Sequence, residues 1–238
     1  MSITKTSESG QEKIKKHLLV RSYFRTRVAA IVMMLIVIAA QAWISHAINL
    51  DYAWVLPIIS GLLLVISILV YSGSHRSPSK SARVLSIAVV ILLPLINLIC
   101  MIWFIYDMLN PATVTVSHEL LLAGLAMWVV NIGVFALAYW ELDTGGPEVR
   151  ALGLPTVFKK RIYPDFVFPQ QSDSDPHLSP ANWTPGFADY LYVAITTATS
   201  FTPASSTPYS HLAKMMAGTE ALFSLFILGS IISRAISL

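Results

Sequence analysis

Five long apolar runs limit what this chain can fold into more than any other feature. They cover residues 28–48, 52–73, 84–106, 120–140 and 212–236. A helix needs about 20 mostly apolar residues to cross a hydrocarbon core of about 30 Å. Lipid also offers no partner to an open backbone hydrogen-bonding group, which leaves helices as the structure for such runs. We therefore predict an all-α integral membrane protein with five transmembrane helices.

Composition agrees with this class and excludes several functions. Hydrophobic residues make up 55% of the chain and charged residues 12%, which is too little polar surface to coat a soluble globule. Cys100 is the single cysteine, and the six histidines are scattered without metal-ligand spacing. No nucleophile–base pair stands out either. We expect no metal, no cofactor, no nucleic-acid partner and no enzyme activity, and we expect the lipid bilayer as the surrounding partner.

The distribution of Lys and Arg predicts the orientation of the chain. Seven basic residues precede the first run, three lie between the second and third, and four follow the fourth, whereas residues 47–51 and 107–119 contain none. Basic loops stay on the cytoplasmic side of a membrane. The segment 1–27 is thus predicted to be cytoplasmic and uncleaved, and the chain to end outside.

The chain divides into four parts on this basis: the basic segment 1–27, a four-helix membrane region 28–141, a polar segment 142–186 and a final module 187–238. Seven prolines in 142–186 argue against regular structure there. Two interpretations stay open, an ordered cap on the membrane domain and a flexible linker. The apolar residues 166–169 and Trp183 favour partial packing.

The stretch that follows the fourth run contains two acids at the predicted membrane edge, Glu141 and Asp143. They could bind a cation. The alternative, which we favour, is a helix end, with Gly145 or Gly146 in a left-handed cap and Pro147 preventing continuation.

Three polar residues lie inside predicted spans, Gln41, Asn97 and Asn131. Side chains of this type commonly bond between helices in membrane bundles, and we predict that role for all three.

The final module begins with an apolar stretch too short to cross a membrane. Residues 187–201 are followed by a segment rich in Pro, Ser and Thr and then by the last span. This layout predicts a re-entrant helix and loop, which must be covered by protein or line a water-filled cavity. The alternative is an amphipathic helix on the membrane surface. Asp189, near the helix start, is predicted to cap it.

Residues 196–208, TTATSFTPASSTP, align without gaps on the potassium-channel pattern TTVGYGDxTPxTP. Upstream, the residues DYLY at 189–192 are similar to the start of a pore helix; downstream, EAL at 220–222 and ISRA at 232–235 are similar to an inner helix. The module resembles the pore domain of two-helix potassium channels. The chain also resembles an uncharacterised family of bacterial inner-membrane proteins. These resemblances imply a homo-oligomer, a tetramer if it is a channel, that is permeated by monovalent ions.

The departures from the potassium-channel pattern fall in its filter. Thr199 and Phe201 stand where the filter has glycines, and Ser200 and Thr202 replace its Tyr and Asp. Residues with a Cβ resist the backbone conformations that a ring of carbonyls requires. Potassium selectivity by that mechanism is therefore not expected.

The hydroxyl groups of the loop could still line a wet constriction, with Phe201 as a hydrophobic gate. Glu220 would then face a central cavity and attract cations, or else accept a hydrogen bond from a hydroxyl such as that of Thr197. In the competing interpretation the hydroxyls bond nearby backbone and close the loop. The predicted pore-lining residues are Thr196, Thr197, Thr199, Ser200, Phe201, Thr202 and Glu220.

From the sequence, then, we expect an ion-channel-like protein of the bacterial inner membrane with a degenerate, non-potassium-selective pore loop and a cytoplasmic N-terminus. A non-conducting membrane scaffold that keeps the same loop fold is the alternative.

Overall fold

The computed structural model describes residues 27–47, 54–73, 80–109, 117–152, 164–172, 175, 183–201 and 206–236. Helices dominate these residues, and two very short strands form one antiparallel pair. The helices are α1 Arg27–Ala47, α2 Val55–Gly73, α3 Lys80–Leu109, α4 Ser117–Leu142, α5 Pro147–Leu152, α6 Pro169–Ser172, α7 Phe187–Ser200 and α8 His211–Ile236, and the strands are β1 Phe166–Val167 and β2 Thr207–Pro208.

Four of the helices are long and apolar enough to cross a membrane. Their apolar stretches are Arg27–Ala47, Arg83–Tyr106, Leu121–Gly145 and His211–Ser233. They fall on the first, third, fourth and fifth predicted runs, consistent with an all-α membrane protein. In α2, which falls on the second run, the described apolar stretch is shorter, Val55–Leu69.

Helix α4 lies at the centre of the bundle. Residues 130–141 are all buried, so neighbours must surround α4 on every side over this length. Helices α3, α7 and α8 pack against it, and α1 approaches it at Gly133, where an added Cβ would lie 2.7 Å from a methyl carbon of Val37. A helix covered on all sides carries apolar residues around its whole circumference, as α4 does over most of this stretch.

The start of α3 and the end of α4 lie at the same end of the bundle. An ion pair shows this directly, since Arg83 Nη1 is 2.6 Å from Glu141 Oε1. Helix α7 begins at this end as well, because the rings of Trp140 and Phe187 meet edge to face with centroids 5.9 Å apart. We call this the Glu141 end of the bundle.

The polar segment after α4 has more regular structure than its prolines predict. Its described residues include α5, β1 and α6, and the two helices each begin at a proline, Pro147 and Pro169. Proline is tolerated at the first helical position because the N–H it lacks would have no partner there. Phe166 and Phe168 are buried, which confirms the predicted partial packing. We call residues 143–150 and 164–172 the cap.

Candidate functional site

Asp143 is the residue that joins the cap to the membrane helices. Its side chain is fully buried at the end of α4. The backbone N–H groups of Asp165 and Phe166 donate to its Oδ1 over 2.7 and 3.3 Å, and the hydroxyl of Thr144 donates to the same oxygen over 2.9 Å. The hydroxyl of Tyr190 on α7 donates to Oδ2. One carboxyl group thus holds α4, β1 and α7 together.

The chain reaches this arrangement through a left-handed turn. After α4, Thr144, Gly145 and Gly146 have φ angles of 51°, 81° and 110°, and α5 then starts at Pro147. Glycine tolerates such angles because it has no Cβ. At Gly146 a Cβ would also lie 2.5 Å from Arg83 Nη1. The predicted helix end is confirmed.

Two arginines engage the polar groups around this turn. Arg83 pairs with Glu141 and also donates to the carbonyl oxygen of Glu141 over 3.0 Å. Arg150 donates to the carbonyl oxygens of Trp140 and Asp143, and its guanidinium carbon lies 4.9 Å from the ring centroid of Tyr190. Protein donors thus engage both carboxyl groups, Glu141 and Asp143, that the alternative interpretation assigns to a cation.

Aromatic rings fill the space between the cap and α4. The ring of Phe166 packs against Tyr139 and Tyr190, with centroids 4.8 and 6.2 Å away. Phe168 meets Tyr190 and Trp183 at 5.3 and 5.7 Å. These contacts place the aromatic side chains of β1 and its neighbour between α4 and α7 and pack the cap against the start of α7.

Further along α4, Tyr139 bonds to the acidic residue of the last helix. Its hydroxyl donates to Glu220 Oε2 on α8, and both side chains are fully buried. The other carboxyl oxygen, Glu220 Oε1, is buried without a hydrogen-bond partner among the described residues. Sequence reasoning pointed to a loop hydroxyl as the donor; the donor is instead a tyrosine from the central helix.

An amide pair joins three helices deeper in the bundle. Asn97 Nδ2 on α3 donates to Asn131 Oδ1 on α4 over 2.9 Å, and Asn131 Nδ2 donates to the hydroxyl of Ser224 on α8, also over 2.9 Å. The predicted role of Asn97 and Asn131 is confirmed. For Gln41 the described residues do not show this role, because its side-chain amide is buried with neither atom bonded to any of them.

The predicted pore-lining residues of the module occupy a helix and not a loop up to Ser200. Helix α7 contains Thr196, Thr197, Thr199 and Ser200. The hydroxyl of Thr196 donates to the carbonyls of residues 192 and 193, each over 2.9 Å, and that of Thr199 to the carbonyl of residue 195 over 2.8 Å. Without filter glycines these residues keep right-handed helical angles, and the two threonines satisfy their hydroxyls locally.

Phe201 ends α7 in a left-handed conformation, with φ 56°. It stands at a position where the potassium-channel pattern has glycine, and its side chain is exposed. A bulky side chain at positive φ is strained. Thr202, also predicted to line the pore, lies outside the described residues. The role of the whole predicted set in permeation stays a prediction.

The structure separates five of the seven predicted site residues into two groups. Thr199, Ser200 and Phe201 are exposed on the outside of the chain, whereas Thr197 and Glu220 are fully buried inside it. Among the described residues, the Thr197 hydroxyl is without a hydrogen-bond partner. A single copy of the chain therefore does not place Glu220 beside the exposed hydroxyls.

Asp189 caps α7 as predicted. Its Oδ2 accepts the backbone N–H of Gly186 over 2.7 Å. Burial raises the pKa of this carboxyl above its ordinary value, and the hydrogen bond from Gly186 opposes that shift.

Several residues of the Glu141 end were not predicted to act together, namely Arg83, Asp143, Arg150, Asp165 and Tyr190. One signal was present in the sequence, since acids beside a predicted membrane edge need partners and basic residues flank the neighbouring spans. Among the described residues, no group of three His, Cys, Asp or Glu side chains could hold a metal ion.

The four long apolar helices and the polar bonds between them are consistent with an all-α, multi-pass membrane protein. Comparisons with protein-family profiles, with curated protein sequences and with solved structures find no match to this chain.

Proposed function

We propose that this protein is an oligomeric, five-span protein of the bacterial inner membrane, built around a pore-loop-like hairpin that permits weakly selective permeation of small ions. The observation that most supports this proposal is the path of the chain, which leaves the Glu141 end at α7 and returns to it at β2. Phe187 packs on Trp140, and β2 pairs with β1, whose neighbour Asp165 is bonded to Asp143.

The length of α7 supports a re-entrant position. Its 14 residues extend about 21 Å at 1.5 Å per residue, which is less than a hydrocarbon core of about 30 Å. Its buried face includes Tyr190, Val193 and Thr197, and it packs against α4 and α8. Irregular backbone at membrane depth persists where protein covers it, and these two helices supply that cover on one side.

The exposed face of α7 supports assembly of several copies. Thr199, Ser200 and Phe201 project away from the core of their own chain. In a monomer this end of the hairpin would meet lipid, which offers no hydrogen-bond partner to the Ser200 hydroxyl. In an oligomer arranged about the hairpin, the same residues would surround a central path.

Orientation follows from the basic residues near the Glu141 end. Arg83 and Arg150 both lie there, together with the predicted cytoplasmic loops. The hairpin then opens towards the cytoplasm, opposite to a potassium channel, and the five-span topology includes α2 as the second span.

A flux assay on reconstituted protein tests the proposal. Purified protein in liposomes should pass monovalent cations faster than protein-free vesicles and should be oligomeric by native mass spectrometry. Ser200→Trp should reduce the flux at least several-fold, because the added ring fills the central path. Tyr192→Trp is the matched control, since Tyr192 is exposed two turns earlier on α7, and its flux should be unchanged. A monomer that passes no ions at any voltage would refute the proposal.

One observation favours a second function, a non-conducting membrane scaffold. The hydroxyls of Thr196 and Thr199 are bonded to their own helix, which leaves them little capacity to replace the hydration of an ion. A scaffold requires an oligomer without flux and a partner bound through the cytoplasmic segment. Replacing residues 170–176 by Gly and Ser should then abolish its cellular role, and unchanged growth and fitness would count against this function.

A further inference from the structure

Glu220 is a buried acidic residue of α8 whose carboxyl group is only partly hydrogen-bonded by the described residues. It lies ten residues into α8 with no exposed surface. The Tyr139 hydroxyl occupies Oε2, whereas Oε1 has no hydrogen-bond partner among the described residues. Buried carboxyl groups without a full set of partners are costly, and in membrane helices they commonly mark ion sites.

Neither protonation state of Glu220 is satisfied by the protein alone. An ionised carboxylate would need a positive charge near Oε1, and Oε1 is bonded to no side chain among the described residues. A carboxylic acid protonated on Oε1 would need an acceptor, and the described residues offer none within hydrogen-bond distance. An acid protonated on Oε2 would donate to the Tyr139 hydroxyl and would still leave Oε1 as a buried acceptor without a donor. In each state Oε1 lacks a partner, and a bound cation would supply one.

Thr197 supplies a second buried oxygen of the same kind. It lies on the face of α7 that packs against α4 and α8, it is fully buried, and its hydroxyl has no partner among the described residues. Its neighbours Thr196 and Thr199 differ, because both donate to carbonyls of α7. Two packed helices therefore each bury an unsatisfied oxygen.

We propose that Glu220 Oε1 binds an alkali cation, Na⁺ or K⁺, at the packing of α7 and α8 against α4, with the Thr197 hydroxyl as a further oxygen ligand. Oxygen donors suit hard cations. One carboxylate neutralises one positive charge, so a divalent ion would leave a net charge buried. The inference deepens the proposed function by naming the ion class and rests on it for the link to permeation. Binding by one chain is measurable without flux.

Thermal unfolding of the purified full chain in detergent tests this inference. Tm is measured in NaCl, KCl and choline chloride at equal ionic strength. We expect a saturating rise of about 2–4 °C in NaCl or KCl over choline when the cation reaches about five times its Kd. Glu220→Gln should abolish the rise, whereas Glu119→Gln, on the first turn of α4, should keep it.

A second pair of variants keeps the test decisive if Glu220→Gln does not fold. Thr197→Val should raise the apparent Kd for the cation about 5–10-fold through loss of one oxygen ligand, and Thr199→Val should leave it unchanged. Equal Tm in all three salts, or a rise that persists in Glu220→Gln, would overturn the inference. The inference would also be overturned if the Tm of the original chain did not depend on the salt and Glu220→Gln raised that Tm. In that case Glu220 would hold a proton and no cation.

The two proposals fail separately. Salt-dependent Tm without flux would refute permeation and keep the cation site, whereas flux in a chain whose Tm is indifferent to Na⁺ and K⁺ would do the reverse.

Discussion

Asp143 receives its hydrogen bonds from three separate parts of the chain: Thr144 beside it, β1 some twenty residues later, and Tyr190 on α7. Nothing in the local sequence distinguishes it from an exposed acid at a helix end. Asp143 matters for stability because it is buried. The groups that donate to its carboxylate are shielded from water and have no other acceptor.

Asp143→Ala should therefore destabilise the protein strongly. The substitution leaves the N–H groups of Asp165 and Phe166 and the Tyr190 hydroxyl without an acceptor, and we expect a loss of about 3–5 kcal/mol of unfolding free energy. Thermal or denaturant unfolding in detergent micelles measures it. Lys214→Ala, at an exposed position in the first turn of α8, is the control and should change stability by less than about 0.5 kcal/mol. Similar losses for the two variants would show that Asp143 is not the junction described above.

At the scale of elements, α4 depends on close approach by its neighbours. Gly133 lets α1 lie against it, since a Cβ there would be 2.7 Å from Val37 Cγ2 and 3.0 Å from Met33 Sδ. Gly124 plays the same part towards α8, where a Cβ would be 2.6 Å from Ile231 Cγ1. Small residues of this kind allow membrane helices to gain packing energy that lipid does not provide.

Gly133→Ala should separate α1 from α4 and cost about 1–3 kcal/mol, because the added methyl group overpacks the contact. The matched control is Gly61→Ala on α2, where a Cβ meets no atom within 4 Å. That control should be neutral or stabilising by up to about 1 kcal/mol, as expected for glycine replaced inside a helix. Tm of both variants in the same detergent provides the comparison, and an equal response would contradict the close packing of α1 on α4.

For the whole molecule, the question is whether α7 crosses the membrane or enters it and returns on the same side. The bonds of Arg83 and Asp143 bring the start of α3, the end of α4, the start of α7 and the return at β2 to one end. A re-entrant α7 predicts that the residues before and after the hairpin face the same compartment.

Cysteine labelling checks this topology. With Cys100 replaced by Ala, single cysteines are placed at Thr184 before α7, at Tyr209 after it and at Trp54 at the start of α2, all exposed positions. A membrane-impermeant maleimide should label positions 184 and 209 from the cytoplasmic side and position 54 from the outside. Labelling of 184 and 209 from opposite sides would mean that α7 crosses the membrane.

Much of the fold follows from local properties of the sequence. Apolar length predicts the helices, because each must satisfy its own backbone in lipid. Gly145, Gly146 and Pro147 predict the end of α4, since only the local chain conformation is involved. The amides of Asn97 and Asn131 predict bonds between helices, although not which helices. The pore-like hairpin and the alignment of residues 196–208 are also read from local sequence, and what they imply for function remains a prediction.

Tertiary structure decided which of the distant residues meet. Arg83 pairs with Glu141 across 58 positions, Tyr190 with Asp143 across 47, and Tyr139 with Glu220 across 81. Such pairs depend on the order and rotation of packed helices, which hydropathy leaves undetermined because most faces of these helices are apolar. The same packing buried Glu220 and Thr197 and left Thr199, Ser200 and Phe201 exposed, a division that the alignment alone did not contain.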